Sequence, residues 1–316
     1  ILKSALIPMS IAKKLMDDRS GRKLSFINVY SGDNNDVSYY AAAVAFGRSL
    51  NKEWDNFDLK SIRTDGVFYN NRKLADIVQN EVNDPSCYDD ICYNGGIRMV
   101  KKYSRIEEAV SSSDNINRNG VYLIAGGGKI GGDLAAYLSL NYGAKSVIFS
   151  RNADASKYSE NADISCFRGD ITVSSDVAGL SRYITERYGR LDGIFQCAGR
   201  ISDSNVANKS TDEFLVNIKP KVHGTNNILS LTEQFSVRFL AMFSSISAMF
   251  GNEGQSDYAY ANAYMDSIAS ENTSDCHMLS VQWPLWKDGG MSVDKSRIDY
   301  LKERFGLHLL GTDTAF

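Results

Sequence analysis

The sequence predicts an α/β chain of two successive strand–helix units, and three observations predict it. Short apolar runs alternate with helical periodicity along most of the chain, the pattern of a parallel sheet covered on both faces. A polar stretch from Glu107 to Gly120, centred on Ser111-Ser112-Ser113-Asp114-Asn115, interrupts that alternation and reads as a linker. Beyond it the run Val121-Tyr122-Leu123-Ile124 leads straight into Gly126-Gly127-Gly128-Lys129-Ile130-Gly131.

Each element follows from its local pattern. In residues 1–115, strands are expected at 24–31, 58–63 and, as a closing strand, 97–103; helices are expected at 38–51 and 72–82. In residues 116–316, strands are expected near 121–125, 146–150, 164–168, 193–197, 238–243 and 278–283, with helices between them. The first unit has no glycine fingerprint and no evident catalytic group, so it reads as a support. The second is a doubly wound parallel sheet. With 316 residues there is room for a sizeable core in each.

Composition narrows the chemistry. A net charge of −3 gives no footprint for sequence-independent nucleic-acid binding. The five cysteines (Cys87, Cys92, Cys166, Cys197, Cys276) form no CxxC pair and read as reduced cytoplasmic thiols. His223, His277 and His308 lie far apart, so no metal is expected. No apolar run approaches a membrane span and no secretory leader is visible. The chain opens at Ile1 within an amphipathic segment and stops at Phe316, as a domain cut from a longer protein would.

The glycine segment has the G-x-G-x-x-G spacing between a strand and a helix, here the pattern Leu134, Ala135, Leu138. Such glycines let backbone approach a pyrophosphate lying on a helix N-terminus. The next strand ends Val147-Ile148-Phe149-Ser150-Arg151, beside the adenosine ribose in a doubly wound fold. A carboxylate there would accept from a 2′-hydroxyl, whereas Arg151 pairs with a 2′-phosphate, favouring NADPH over NADH, or else is a solvated arginine. Asp170, in Gly169-Asp170-Ile171, is placed to accept from the adenine amine. Cys197-Ala198-Gly199 ends a strand with the small residues that close cofactor approach needs. Lys129 is either a phosphate contact or an exposed loop lysine.

Ser245 precedes Tyr258 by 13 residues, and Asn262 follows Tyr258 by one helical turn. Two hydroxyls so placed can converge on one carbonyl oxygen, one holding it and the other delivering a proton. A free phenol has a pKa near 10. A neighbouring ammonium favours the phenolate, and Lys221 is the candidate. Tyr258 would then be the acid, Ser245 the oxyanion donor and Asn262 the holder of the proton relay. Taken singly, these are a packing tyrosine, a helix cap and a surface lysine; their joint spacing with the glycine segment carries the reading.

These residues together resemble the short-chain dehydrogenase/reductase superfamily, and within it the ketoreductase domains of modular polyketide synthases, over nearly the whole chain. Ala43-Val44-Ala45-Phe46-Gly47-Arg48-Ser49-Leu50 is similar to the helix of that family's truncated, Rossmann-like structural subdomain. Pro220-Lys221-Val222-His223-Gly224 resembles its P-K-V-x-G; Phe243-Ser244-Ser245, Gly254-Gln255, Tyr258 and Asn262 resemble its catalytic block. Trp283 through Met291, with Pro284, Leu285, Trp286 and Lys287, is similar to the segment closing the substrate side in synthases served by a free-standing acyltransferase.

The resemblance implies two Rossmann-like units and NADPH-dependent reduction of a 3-oxoacyl thioester on an acyl carrier protein. It implies neighbouring synthase domains, a cytoplasmic setting, and a lysine that also contacts the cofactor ribose. Pro284 falls with the cofactor residues, and Gln255 and Trp286 with the substrate. Asp203, third in Ile201-Ser202-Asp203, matches the aspartate of an L-D-D segment marking a D (3R) product, or is a loop acid capping the next helix. Phe250 stands where the opposite class carries tryptophan. The glycine loop departs from the family: Ala125 replaces a threonine and the loop is one residue shorter, which at about 1 kcal/mol per lost hydrogen bond weakens cofactor binding without abolishing it. A structural, non-reducing domain of a megasynthase and a free-standing reductase of small ketones are the alternatives.

Overall fold

The computed structural model describes residues 1–17, 23–32, 36–65, 71–84, 86, 88–104, 116–158, 162–287, 289, 298–299, 302–303 and 306–316. The expected linker core, Ser111 to Asn115, and Met291 lie outside the described residues.

After a π-helical turn at Leu2–Leu6 come α1 (Ile7–Asp17), β1 (Leu24–Ser31), α2 (Val37–Glu53), β2 (Phe57–Thr64), α3 (Asn71–Asn83), β3 (Asp90–Asn94) and β4 (Ile97–Val100). Next are β5 (Val121–Ala125), α4 (Lys129–Tyr142), β6 (Lys145–Ser150), β7 (Ile164–Arg168), α5 (Ser174–Tyr188) and β8 (Gly193–Gln196). The order closes with α6 (Thr211–Gln234), β9 (Phe239–Ser245), α7 (Ile246–Phe250), α8 (Ser256–Ser270), β10 (His277–Trp283) and α9 (Thr312–Ala315). Contacts divide the chain into two compact units. The first holds Ile1–Val110, Ile201–Asn217 and Ser247–Ser267; the second holds Ser111–Arg200, Ile218–Ile246 and Ile268–Phe316. The two sheets divide along the chain between β4 and β5, but the first unit also takes two later segments that alternation of strand and helix does not announce.

The first unit carries a four-stranded sheet, β1-β2-β3-β4, parallel except for the β3–β4 pair. The expected closing strand is one arm of a hairpin turned by Gly95 and Gly96, whose φ values of 56° and 81° are the left-handed pair that a tight two-residue hairpin loop requires. Helix α2 runs Ala42-Ala43-Val44-Ala45-Phe46 fully buried, and a Cβ on Gly47 would stand 2.6 Å from Leu59. The small face of α2 therefore lies directly on β2.

The second unit carries six parallel strands in the order β10-β9-β8-β5-β6-β7. Counted from β5, this is the doubly wound order 3-2-1-4-5-6. Every residue of β5 is buried, as a central strand flanked by β6 and β8 must be. Tyr122, Phe195 and Phe239 pack ring to ring at its base, with centroids 5.3–6.1 Å apart. Strand order reverses between β5 and β8, and in such sheets the crevice beyond the carboxyl ends of these strands is where ligands bind.

Candidate active site

In the second unit the turn from β5 to α4 uses only Gly126, Gly127 and Gly128. Gly126 has φ +124°, and a Cβ there would meet the Ala198 nitrogen at 2.7 Å, so the β5 and β8 turns touch backbone to backbone at the switch point. A Cβ on Gly131 would stand 2.1 Å from the Gly126 carbonyl oxygen, and one on Gly127 2.6 Å from Ser150 Oγ. Gly128 differs: it is the N-cap of α4, it is exposed, and a Cβ on it would meet nothing within 4 Å. Three glycines are thus required by the protein itself, while Gly128 faces open space at a helix N-terminus, the setting that receives a phosphate. The residues fit a dinucleotide on this observation.

The other cofactor candidates gather at the same carboxyl edge. Ser150 is half-buried and Arg151 exposed at the end of β6, and the Arg151 carbonyl accepts from Arg168 Nε at 2.8 Å. Asp170 Oδ1 accepts from the Thr172 amide and hydroxyl at 2.9 and 2.8 Å, fixing the turn after β7, with Ile171 buried behind it. Lys129 opens α4 and pairs with Asp133 at 2.8 Å one helical turn on. Ile130 and Pro284 are half-buried. Ala198 and Gly199 end the β8 turn, and a Cβ on Gly199 would meet Lys221 Cε at 2.9 Å.

Lys221 is buried, and its ammonium donates to the Phe243 carbonyl at 2.6 Å, two residues before the half-buried Ser245 that ends β9. Sequence reasoning missed Gln196. It is fully buried; its amide donates to the Pro220 carbonyl at 3.0 Å and its oxygen accepts the Ala198 N–H at 3.0 Å. It joins the turn after β8 to the α6 segment that carries Lys221. The signal was a lone polar residue closing the apolar strand Gly193-Ile194-Phe195-Gln196. Burial pushes the Cys197 thiol up to about 12, with Lys221 opposing, so this cysteine is a packing group near neutrality. Trp286 is buried in the core, its ring 5.2 Å from Trp283 and 5.4 Å from Phe316. The structure gives it a packing environment.

Tyr258 and Asn262 belong to the first unit, on α8. Tyr258 is half-buried between buried neighbours; Asn262 is fully buried and its amide donates back to the Tyr258 carbonyl at 2.8 Å. Asp203 and Gln255 are brought together, Gln255 Nε2 donating to the carboxylate at 3.0 and 3.2 Å. Lys209, Asp257 and Asn217 form a buried polar group in the same unit, with the half-buried Glu53 tied to the adjoining backbone, that the sequence did not disclose. Burial raises the Glu53 carboxyl above its ordinary range, although its oxygens accept the Val206 and Gly254 amides. Among the described residues no group of three or more histidine, cysteine or carboxylate side chains is arranged to hold a metal, and no helix is long and apolar enough to cross a membrane.

A doubly wound sheet with a glycine turn at its switch point defines an α/β domain of the dinucleotide-binding kind. The chain belongs to the KR domain family of polyketide synthases: the family model described as KR domain matches residues 120–288, more than half of it. It is 33% identical over 249 residues to polyketide synthase PksN of Bacillus subtilis (strain 168), a match covering 73% of this chain and 4% of that protein. With PksL of the same organism it is 31% identical over 236 residues, 69% of this chain and 5% of the relative. It therefore spans a small fraction of these synthases.

Among solved structures, a ketoreductase domain from the bacillaene assembly line superposes with a TM-score of 0.85 at 24% identity, covering 97% of this chain and 76% of that one; at that identity it shows the fold. An N-terminal ketoreductase from the macrolactin assembly line gives 0.81 at 26%, covering 97% and 63%. Membership of the KR domain family implies an oxidoreductase acting on ketones, in a superfamily that binds nicotinamide cofactors. TM-scores are equal, 0.82, against structures described as A-type and C2-type ketoreductases, so fold likeness does not sort these types. Individual residues must.

Proposed function

We propose that this domain reduces a 3-oxoacyl thioester, carried on an acyl carrier protein, to the D (3R) 3-hydroxyacyl thioester at the expense of NADPH. We further propose residues 1–115 as its structural subdomain and 116–316 as its catalytic one, within a cytoplasmic polyketide synthase. The observation that carries the reading is the complete set of Lys221, Ser245, Tyr258 and Asn262 in a chain whose glycine turn leaves open space only at Gly128.

Gly126, Gly128, Ile130, Gly131, Ser150, Arg151, Asp170, Ile171, Ala198, Gly199 and Pro284 would hold NADPH, with Arg151 choosing the 2′-phosphate and Lys129 adding positive charge. Held there, the nicotinamide would supply the hydride that the β-carbon takes up. Tyr258 donates its phenolic proton to the oxygen as negative charge develops there, a role worth about 10² to 10⁴ in rate. Ser245 donates a hydrogen bond to the same oxygen. Lys221 favours the phenolate left behind, and Asn262, anchored to the Tyr258 carbonyl, holds the relay. Asp203 and Gln255, hydrogen-bonded to each other, are the residues we assign to the face of attack, with Trp286 supporting the segment on the substrate side. The second reading, a structural domain with weak cofactor binding, draws on the shortened glycine turn alone.

The test follows nicotinamide absorbance when the domain is mixed with NADPH and a diffusible 3-oxoacyl thioester, with chiral analysis of the product. Consumption that Tyr258→Phe abolishes, and a D alcohol, are expected. Undiminished consumption by Tyr258→Phe overturns the catalytic assignment, and an L alcohol overturns the assignment of Asp203.

A further inference from the structure

Lys209 lies in Asn208-Lys209-Ser210, a stretch that reads as solvated loop, yet it is 0% exposed. An ammonium has three N–H donors. Lys209 Nζ has three oxygen partners: Asp257 Oδ2 at 2.7 Å, the Ser202 carbonyl at 3.3 Å and the Gly254 carbonyl at 3.5 Å. Each partner belongs to the residue directly before a site candidate: Ser202 before Asp203, Gly254 before Gln255, and Asp257 before Tyr258.

The arrangement is satisfied on its other sides as well. Asp257 Oδ1 accepts the Tyr258 N–H at 2.8 Å, and Oδ2 accepts from Asn217 Nδ2 at 2.7 Å. Glu53 holds the Gly254 amide at 3.0 Å and the Val206 amide at 2.5 Å. All of these residues lie in the first unit.

A buried ion pair is weak support for a fold, because an apolar pair of similar volume often holds it as well or better. What charge and directed hydrogen bonds add is a fixed geometry. We propose that Lys209 is a positioning residue: its ammonium sets the mutual register of the three backbone segments that present Asp203, Gln255 and Tyr258, and so sets both turnover and the face of reduction. This rests on the reduction proposed above.

Lys209→Met alone strands the Asp257 carboxylate and unfolds the region, so the test uses Lys209→Met/Asp257→Leu, which replaces the pair by apolar volume. With NADPH and a diffusible 3-oxoacyl thioester, the expected result is a melting temperature near wild type, kcat lower by about 10- to 100-fold, and KM within about twofold. The ratio of D to L product erodes. A purely structural pair predicts wild-type kcat and wild-type product ratio in the same variant, and that result overturns the proposal. Lys209→Gln/Asp257→Asn, which removes both charges of the buried pair and keeps polar side chains of similar shape, is read by the same quantities and decides the matter where the apolar double variant does not fold.

Hydrogen exchange reads the register without any turnover. In either variant, segments 201–206 and 254–259 speed up together; unchanged exchange in both refutes the proposal even in a chain that reduces nothing. Where the wild type consumes no NADPH but the variants show that coupled exchange, the function fails and the positioning stands.

Discussion

Alanine at Gly128 and alanine at Gly131 separate what the glycine turn does for the fold from what it does for a ligand. At Gly131 the new Cβ stands 2.1 Å from the Gly126 carbonyl oxygen, so turn or helix must move by about 1 Å to restore ordinary contact. Overpacking of this kind costs about 1–3 kcal/mol, which at about 2–4 °C per kcal/mol lowers the melting temperature by about 2–12 °C. At Gly128, φ −76° and ψ −177° suit any residue, and the Cβ meets nothing. About 0.5–1 kcal/mol lost at the N-cap is offset by an entropic gain of about 0.4–1 kcal/mol, so the melting temperature stays within about 4 °C of wild type. The same methyl, however, occupies the space where a pyrophosphate would approach the helix N-terminus. NADPH affinity then falls by about tenfold or more, equivalent to about 1.4 kcal/mol or above. Thermal unfolding and titration of NADPH fluorescence read the two effects on the same samples. Wild-type NADPH affinity in Gly128→Ala, or wild-type melting in Gly131→Ala, refutes the reasoning.

Arg151→Ala is expected to weaken NADPH binding about tenfold and leave NADH binding unchanged, since a charge-assisted contact to the 2′-phosphate is the only difference tested; comparison of the two dissociation constants checks it. In the first unit the Glu81 carboxylate accepts Arg98 Nε at 2.6 Å, Arg98 Nη2 at 2.9 Å and the Tyr93 hydroxyl at 2.6 Å, and the Arg98 hydrogen bonds hold it below its ordinary value of 4.5. A lowered carboxyl contributes stability that is present above 4.5 and is lost as pH falls through the folded value. Glu81→Gln therefore costs about 1–3 kcal/mol at pH 7, and its deficit shrinks as pH drops below 4.5; melting curves across that range decide it.

Much of the architecture was legible because it rests on local patterns. Apolar runs bounded by turns located β1, β2 and β5 through β10 to within a few residues, since a buried parallel strand must be apolar along its length. Strand β3 was missed: Asp90-Ile91-Cys92-Tyr93-Asn94 is short and begins and ends polar, although Asn94-Gly95-Gly96 marks its turn. Helical spacing put Tyr258 and Asn262 one turn apart, as they stand on α8, and Lys221 was singled out by its motif. Its burial, and its hydrogen bond to the Phe243 carbonyl, depend on β9 lying beside that part of α6, which no local signal encodes.

The sequence by itself determined every strand but β3, the glycine turn and the residue types able to hold a nicotinamide cofactor and move a proton, because spacing along a strand or helix is enough to state them. Tertiary structure alone decided which of those residues are held, and by what. Trp286 became core, Gln196 became the tie between β8 and α6, and Lys209 became the fully buried ammonium behind Asp203, Gln255 and Tyr258. Burial and hydrogen-bond partners are properties of segments far apart in the chain, so a lysine flanked by asparagine and serine carries no local mark of them.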